Sequence, residues 1–435
     1  MAKHRGFKFM ALGLALATML TACAKTGSGP AGDPGSSTTG SEGASKVKIT
    51  YWTPFSGGDG EFMDAMVKKF NEENGSIQVE TLNNKSEDYY TKLQTSLASD
   101  QAPDVAVVHS ARLPQFVPSG YLTDLDTLAS ENGVKWEDFN PTILDSTVYD
   151  GKHYSLPLDT HAIVMYYNKK YLEQAGVLKD GKPDLASSPE GFTDFLTKIQ
   201  KAVPSDVAPL AQPNVRVDSY WVFWGLYNQI SGGGTFYKED GTAGLNNPQA
   251  LKALEYVDSL YKSKLIPPNI DDAFKMFQDG KAAVLLTGVW GVGSFEKTQG
   301  LDFGVVPMPQ LYDQPATWGD SHTLALPKHA KEDPEKQKAA ITFANWIVQH
   351  GEMWAQAGHI PSVSKVLDSD AFKSMKFRSD YSATADFVKY WPRNPKQGQI
   401  NDEVTKEFEK MMMNKQDAKT TLENADKAIN KVLGK

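Results

Sequence analysis

Between Val47 and Val108 the sequence alternates strand-like and helix-like segments in the order β-α-β-α-β, and no other feature narrows the fold so far. Val47–Thr53 (VKITYWT) alternates in polarity and is rich in β-branched and aromatic residues, so it reads as a strand. After the turn FSGGDG, Glu61–Asn74 carries Phe62, Met66, Val67 and Phe70 at helical spacing. Ile77–Leu82 is a second expected strand, and Tyr89–Ala98, with Tyr90, Leu93 and Leu97, a second helix. Val105–Val108 is wholly apolar and follows the Ala102-Pro103 breaker. This order predicts an α/β fold with a mostly parallel sheet covered on both faces.

The alternation resumes after Tyr154. Ile163–Tyr167, Val284–Thr287, Phe303–Val306 and Thr323–Leu326 are expected strands. Phe192–Ala202, Leu251–Ser263 and Lys336–Gln349 are expected helices, and Asn401–Leu433 closes the chain as one or two more. Gly232-Gly233-Gly234 and Pro392-Arg393-Asn394-Pro395 mark loops, and no internal repeat is present. The folded part, about four hundred residues, can bury a large core, and its length points to two lobes.

The single cysteine, Cys23, ends a short apolar run at the N-terminus. Lys3, Arg5 and Lys8 precede an uncharged stretch, Phe9–Leu20, that is too short to span a bilayer, and Thr21-Ala22 supplies small residues before the cysteine. The pattern is a bacterial lipoprotein signal over 1–22, with diacylglycerol expected on the Cys23 sulfur. Residues 24–45 hold no aromatic and no large aliphatic side chain, so 23–45 reads as a flexible tether reaching roughly 26 Å. The expected location is the outer face of the cell membrane, lipid-anchored, in a Gram-positive cell. With Cys23 lipidated, no disulfide, catalytic thiol or cysteine metal site is available. Loss of the signal takes the net charge from −8 to −11, which argues against nucleic acid or anionic lipid as a partner. No second apolar run reaches spanning length.

Enzyme motifs are mostly missing: there is no G-x-S-x-G, no H-E-x-x-H, no Walker loop and no G-x-G-x-x-G behind a strand. Gly288-Val289-Trp290-Gly291-Val292-Gly293 is glycine-rich, but it lacks the lysine and a following helix with a phosphate-binding start. A glycosidase carboxylate pair stays open, because acidic residues are plentiful. Seven histidines follow the signal, none spaced like helix-borne zinc ligands, so each reads as a surface or hydrogen-bonding residue. No metal and no cofactor is expected.

Tryptophan and tyrosine, by contrast, cluster in polar company at Tyr220–Trp224, at Gly288–Gly291 and at Thr317–His322. Sugar rings have apolar C–H faces that indoles cover and a hydroxyl rim that Asp, Asn, Arg and His pair with. Trp290 and Trp318, each beside glycine near a strand end, read as site residues, and Trp52, inside an alternating strand, reads as core. The Tyr220–Trp224 cluster fits either a site or a partly buried helix start.

Several motifs in order resemble the extracellular solute-binding proteins of sugar ABC transporters, the group that includes maltodextrin-binding protein. They are Tyr90-Thr91-Lys92-Leu93, Ala102-Pro103-Asp104-Val105, Gly120-Tyr121-Leu122-Thr123-Asp124-Leu125, Leu156-Pro157-Leu158, Tyr166-Tyr167-Asn168-Lys169, and Phe277–Ala283 followed by Gly288-Val289-Trp290. The resemblance covers nearly all of 46–435. It implies a two-lobed, type II periplasmic-binding-protein-like fold with the ligand in the cleft between lobes. One lobe would comprise 46–160 and 322–368, the other 161–321 and 369–435. Crossings would fall near Thr160–Ala162, Trp318–Thr323 and Leu367–Ala371.

Trp290 lies where the family places a sugar-stacking tryptophan, His161 where maltodextrin-binding protein has a ligand-binding carboxylate, and Tyr220, Trp221 and Trp224 in its aromatic subsite region. The loop His109-Ser110-Ala111-Arg112 keeps the arginine, but Val108 and Ala111 replace a tryptophan and an aspartate, and the loop Pro54–Gly60 lacks a lysine. These departures point away from maltodextrin while leaving a carbohydrate. The expected ligand-binding set is Trp290, Trp318, Trp221, Trp224, Tyr220, His161, Asp159, Arg112, Ser110, Asp320, His322 and Ser56, with no catalytic residue. The implied function is a monomeric receptor that delivers a carbohydrate, leaning to an oligosaccharide, to ABC permease subunits. A surface-anchored glycosidase or lyase is the alternative.

Overall fold

A computed structural model of the 435-residue chain describes residues 46–55, 58–84 and 86–435. Cys23, the signal, the tether and Ser56 lie outside the described residues. The first sheet has the strand order Ile77–Asn83, Val47–Thr53, Val105–His109, His322–Ala325, Ser155–Pro157. Its first three strands are parallel, with Tyr51 opposite both Thr81 and Val105. His322–Ala325 then inserts antiparallel to both neighbours, His322 facing His109 and Thr323 facing Pro157. The wholly apolar run is explained by burial on both faces: Val105 and Val107 pack with Ile49, Tyr51 and Phe343, while Ala106 and Val108 pack with Tyr89, Leu93 and Phe116. Trp52 packs against the second of these clusters, as a core residue.

The second sheet is built on one long strand, Asp159–Asn168, every residue of which is buried. Ala282–Gly288, Phe303–Pro307, Thr317–Asp320 and Ile360–Pro361 all pair with it antiparallel. Ala208–Ala211 and Val388–Lys389 are added in parallel at the edges. The mostly parallel sheet therefore holds only for the opening β-α-β-α-β segment. Hydrophobic pattern found just the second half of the long strand, because Asp159, Thr160 and His161 are polar yet buried.

Helices begin where polar caps precede proline. Ser188 accepts from the Gly191 N–H ahead of Pro189–Ala202, Asn247 from Ala250 ahead of Pro248–Lys262, and Asp333 from Glu335 and Lys336 ahead of Pro334–Gln349. The closing segment is two helices, Gln397–Met412 and Ala418–Leu433, with Asn414 left-handed at φ 55° in the break between them. No helix among the described residues is long and apolar enough to cross a membrane.

This is the two-lobed type II architecture. The chain leaves the first sheet at Pro157 and enters the second at Asp159, then leaves the second at Asp320 and re-enters the first at His322. Those two short passages, joined by the Ile360–Pro361 bridge, put polar side chains where the sheets meet.

Candidate functional site

Above that junction lies a cavity of about 530 Å³. The first sheet's side contributes His109, at the end of its strand, with Ala111, Arg112 and Tyr90. The opposite wall is aromatic, with Trp221, Trp318 and Trp391, and the closing helix Gln397–Met412 adds Asn401, Asp402, Thr405 and Lys406. Trp318 stacks on Trp221 with ring centroids 4.4 Å apart and planes 16° apart. Trp318 Nε1 is buried without a hydrogen-bond partner. Asp320 Oδ1 accepts from Ser110 Oγ (2.6 Å), the Ser321 N–H (2.8 Å) and the Ala111 N–H (3.2 Å), so one carboxylate fixes the loop across the cavity. Arg112 lies over the Tyr90 ring at 4.8 Å and presses its guanidinium onto Gly398, where a Cβ would collide with it.

A second cavity of about 450 Å³ shares Ala111 and Trp391 with the first and adds Ser110, Asp145, Tyr390 and Arg393. The cleft is therefore elongated. Arg393 donates to the Val148 carbonyl (2.8 Å) and pairs with Asp145, and Lys297 pairs with Glu61, so contacts span the cleft on both flanks. A groove of about 430 Å³ near Asp100, Asp104 and Lys336 lies elsewhere and carries no tryptophan or tyrosine.

Of the expected set, Trp221, Trp318, Arg112 and Asp320 come together around the first cavity, and Ser110 reaches the second. Trp290 is half-buried beside them, edge-on to Trp221 at 5.9 Å, and its ring covers Gly288 rather than lining either cavity. Tyr220 and Trp224 are corrections. Tyr220 is fully buried against Trp391 and Phe408, and Trp224 donates its indole N–H to the Lys389 carbonyl (3.0 Å) within the core. Their helix, Asp218–Gln229, is buried at every position except Asp218 and Trp221. Positions 220 and 224 share one helical face, and the face of 217 and 221 meets the cavity. Sequence reasoning marks none of Tyr90, His109 and Trp391 as a site residue; Tyr90 reads as a helix's apolar face and as part of a family motif.

Asp159, His161 and His322 also depart from expectation, because they lie beneath the cavity rather than on its wall. Asp159 is wholly buried and accepts from Trp354 Nε1 (2.6 Å), His322 Nδ1 (2.8 Å), the His322 N–H (3.1 Å) and His161 Nδ1 (3.2 Å). His359, 1% exposed, completes the group. One donor atom each from Asp159, His161, His322 and His359 lies within 4.8 Å of all the others. Burial alone would raise the Asp159 carboxyl, but the imidazoles beside it and their hydrogen bonds hold it well below the usual carboxylate range. Burial pushes the His322 imidazole well below its ordinary value and pushes His109 down to about 4, so both are neutral at pH 7. None of these histidines is a surface residue, and the cluster draws on three separate segments, which is why no local spacing announced it.

A family model described as bacterial extracellular solute-binding protein matches residues 65–378. A maltotriose-binding protein of Pyrococcus abyssi is 21% identical over 330 residues, 74% of this chain and 68% of that protein. Among solved structures, a Listeria monocytogenes ABC substrate-binding protein in complex with cycloalternan superposes with a TM-score of 0.77 at 23% identity, covering 90% of this chain and 100% of that one. UgpB of Mycobacterium tuberculosis in complex with glycerophosphocholine gives 0.79 at 21% identity, covering 90% and 99%.

Proposed function

Since the chain belongs to the bacterial extracellular solute-binding proteins, we propose that it is the receptor of an ABC importer that closes on an oligosaccharide and presents it to membrane permease subunits. The observation that carries this reading is the elongated cleft, two cavities meeting at Trp391, walled by a Trp221–Trp318 stack and rimmed by Arg112, Asp320 and Asn401. Indole faces cover the C–H faces of pyranose rings, and the polar rim pairs with their hydroxyls. The relatives are named for both sugars and glycerophosphocholine. Here the charged side chains at the first cavity are Arg112 and Lys406 against Asp320, Asp402 and Glu409, a balance that disfavours an anion.

The lobes of this reading are 46–160 with 322–368, and 161–321 with 369–435. Closure rotates one on the other about the short passages at Leu158 and Ser321, and the ligand favours closure only through its differential affinity for that state. The receptor acts without catalysis and without a cofactor, as a monomer. Cys23, lipidated after loss of residues 1–22, holds it outside the membrane on its tether.

Calorimetric titration of the chain with maltodextrins, arabino-oligosaccharides and glycerophosphocholine, beside chromatography of each mixture, tests this. Saturable binding of an oligosaccharide with no product is expected. Product formation, or binding confined to the phosphodiester, overturns it.

A further inference from the structure

We propose that Asp159, His161, His322 and His359 form a binding site for a divalent transition-metal ion of zinc-like chemistry, at the junction of the two sheets. Three imidazole nitrogens and one carboxylate oxygen are a donor set such ions favour. The spacing is near what such an ion needs. His322 Nδ1 and His359 Nδ1 stand 2.8 and 3.2 Å from Asp159 Oδ2, and His161 Nδ1 stands 3.2 Å from Asp159 Oδ1. Four ligands held tetrahedrally at about 2.0–2.1 Å from an ion lie about 3.3–3.4 Å from one another. The His161 and His359 pairs with Asp159 are close to that separation, the His322 pair is about half an ångström shorter, and none of the four donors lies more than 4.8 Å from another.

Hydrogen bonding alone accounts for part of the cluster. It explains His161 and His322, each of which meets an Asp159 oxygen. It does not explain His359, whose two ring nitrogens are buried and without any hydrogen-bond partner. Leaving such a group unsatisfied is costly, and each instance in a native structure calls for a cause. An ion between His359 Nδ1 and the other donors supplies one, with His161 and His322 then carrying their protons on Nε2 and not on the Nδ1 that meets Asp159. The His359 Nε2–H would then face Asp59 Oδ2, now 3.8 Å away, as the outer carboxylate that commonly orients a ligating histidine.

The surroundings hold the donors in place. Trp354 stacks on His359 at 4.4 Å with planes 6° apart, and its indole N–H donates to Asp159. Four protein ligands leave no open position, so the ion would be structural. It would tie together the long strand, the strand His322–Ala325 and the segment before Ile360–Pro361, which are the passages between the sheets. This inference does not depend on what the cleft binds.

The test uses the whole chain, stripped with chelator, dialysed, and titrated with zinc or cobalt alone. One equivalent of either ion should bind, cobalt should give the intense visible absorption of a tetrahedral complex, and zinc should raise the melting temperature reversibly. His359→Ala and His359→Gln should each lose the cobalt absorption and the zinc-dependent shift. His329→Ala, on an exposed segment away from the junction, should keep both. The unmodified chain decides the matter even if both His359 variants fail to fold. A stripped chain that takes up no stoichiometric zinc or cobalt overturns the site, and so does a folded His359→Gln that keeps the tetrahedral spectrum. Oligosaccharide titration of the stripped chain reports separately on the cleft.

Discussion

Trp221 and Trp224 sit three residues apart on one helix and meet different fates. Trp221 stacks on Trp318 at the cavity, whereas Trp224 is 2% exposed and bonded to a backbone carbonyl. Trp221→Ala should therefore weaken oligosaccharide binding by roughly thirtyfold, the equivalent of about 2 kcal/mol, with the melting temperature little changed. Trp224→Ala should instead cost about 3–5 kcal/mol of folding stability while the folded fraction keeps its affinity. Calorimetry beside urea unfolding separates the two, and the opposite pattern would exchange their roles. The sequence could not choose between these residues, because a helix buried almost all round shows no polar face to orient it. Trp391 was hidden for another reason. It follows a two-residue strand, Val388–Lys389, that exists only through pairing with Thr317–Trp318, which lie far away in the chain.

Among the elements, the opening strands and helices were legible to within a few residues, since alternating polarity, helical spacing and the Ala102-Pro103 breaker report local structure directly. Ala208–Ala211 escaped because its apolar run is so short, and the first half of Asp159–Asn168 because it buries polar side chains. The closing helix Gln397–Met412 reaches the cleft through Gly398, which makes room for Arg112 from the opposite side. Gly398→Ala should push that guanidinium aside. The obstruction is the far end of a flexible side chain, so the melting temperature should hold while oligosaccharide affinity falls. Unchanged affinity would show that the Arg112–Gly398 contact is incidental to binding.

For the whole molecule, the two-lobed plan was visible through motifs in a fixed order, and the junction cluster was not, since its four residues converge only after folding. Small-angle scattering with saturating oligosaccharide should give a smaller radius of gyration than without it, and an unchanged profile would mean a rigid cleft. Cys23→Ser should release the protein into the medium or leave it unprocessed, because no thioether can form. Lipid labelling of that variant equal to the parent's would rule out the anchor.

The strand His322–Ala325 lies between Val105–His109 and Ser155–Pro157, yet it is made only after the entire second sheet except its short edge pieces. Until it arrives, the first sheet stays split, with the edges of two largely buried strands unpaired. Synthesis from the N-terminus cannot complete that sheet early, and the pairing it waits for closes a very long loop. A chain of this kind emerges unable to finish its first half. That delay leaves a stretch of time in which exposed strand edges need protection from one another.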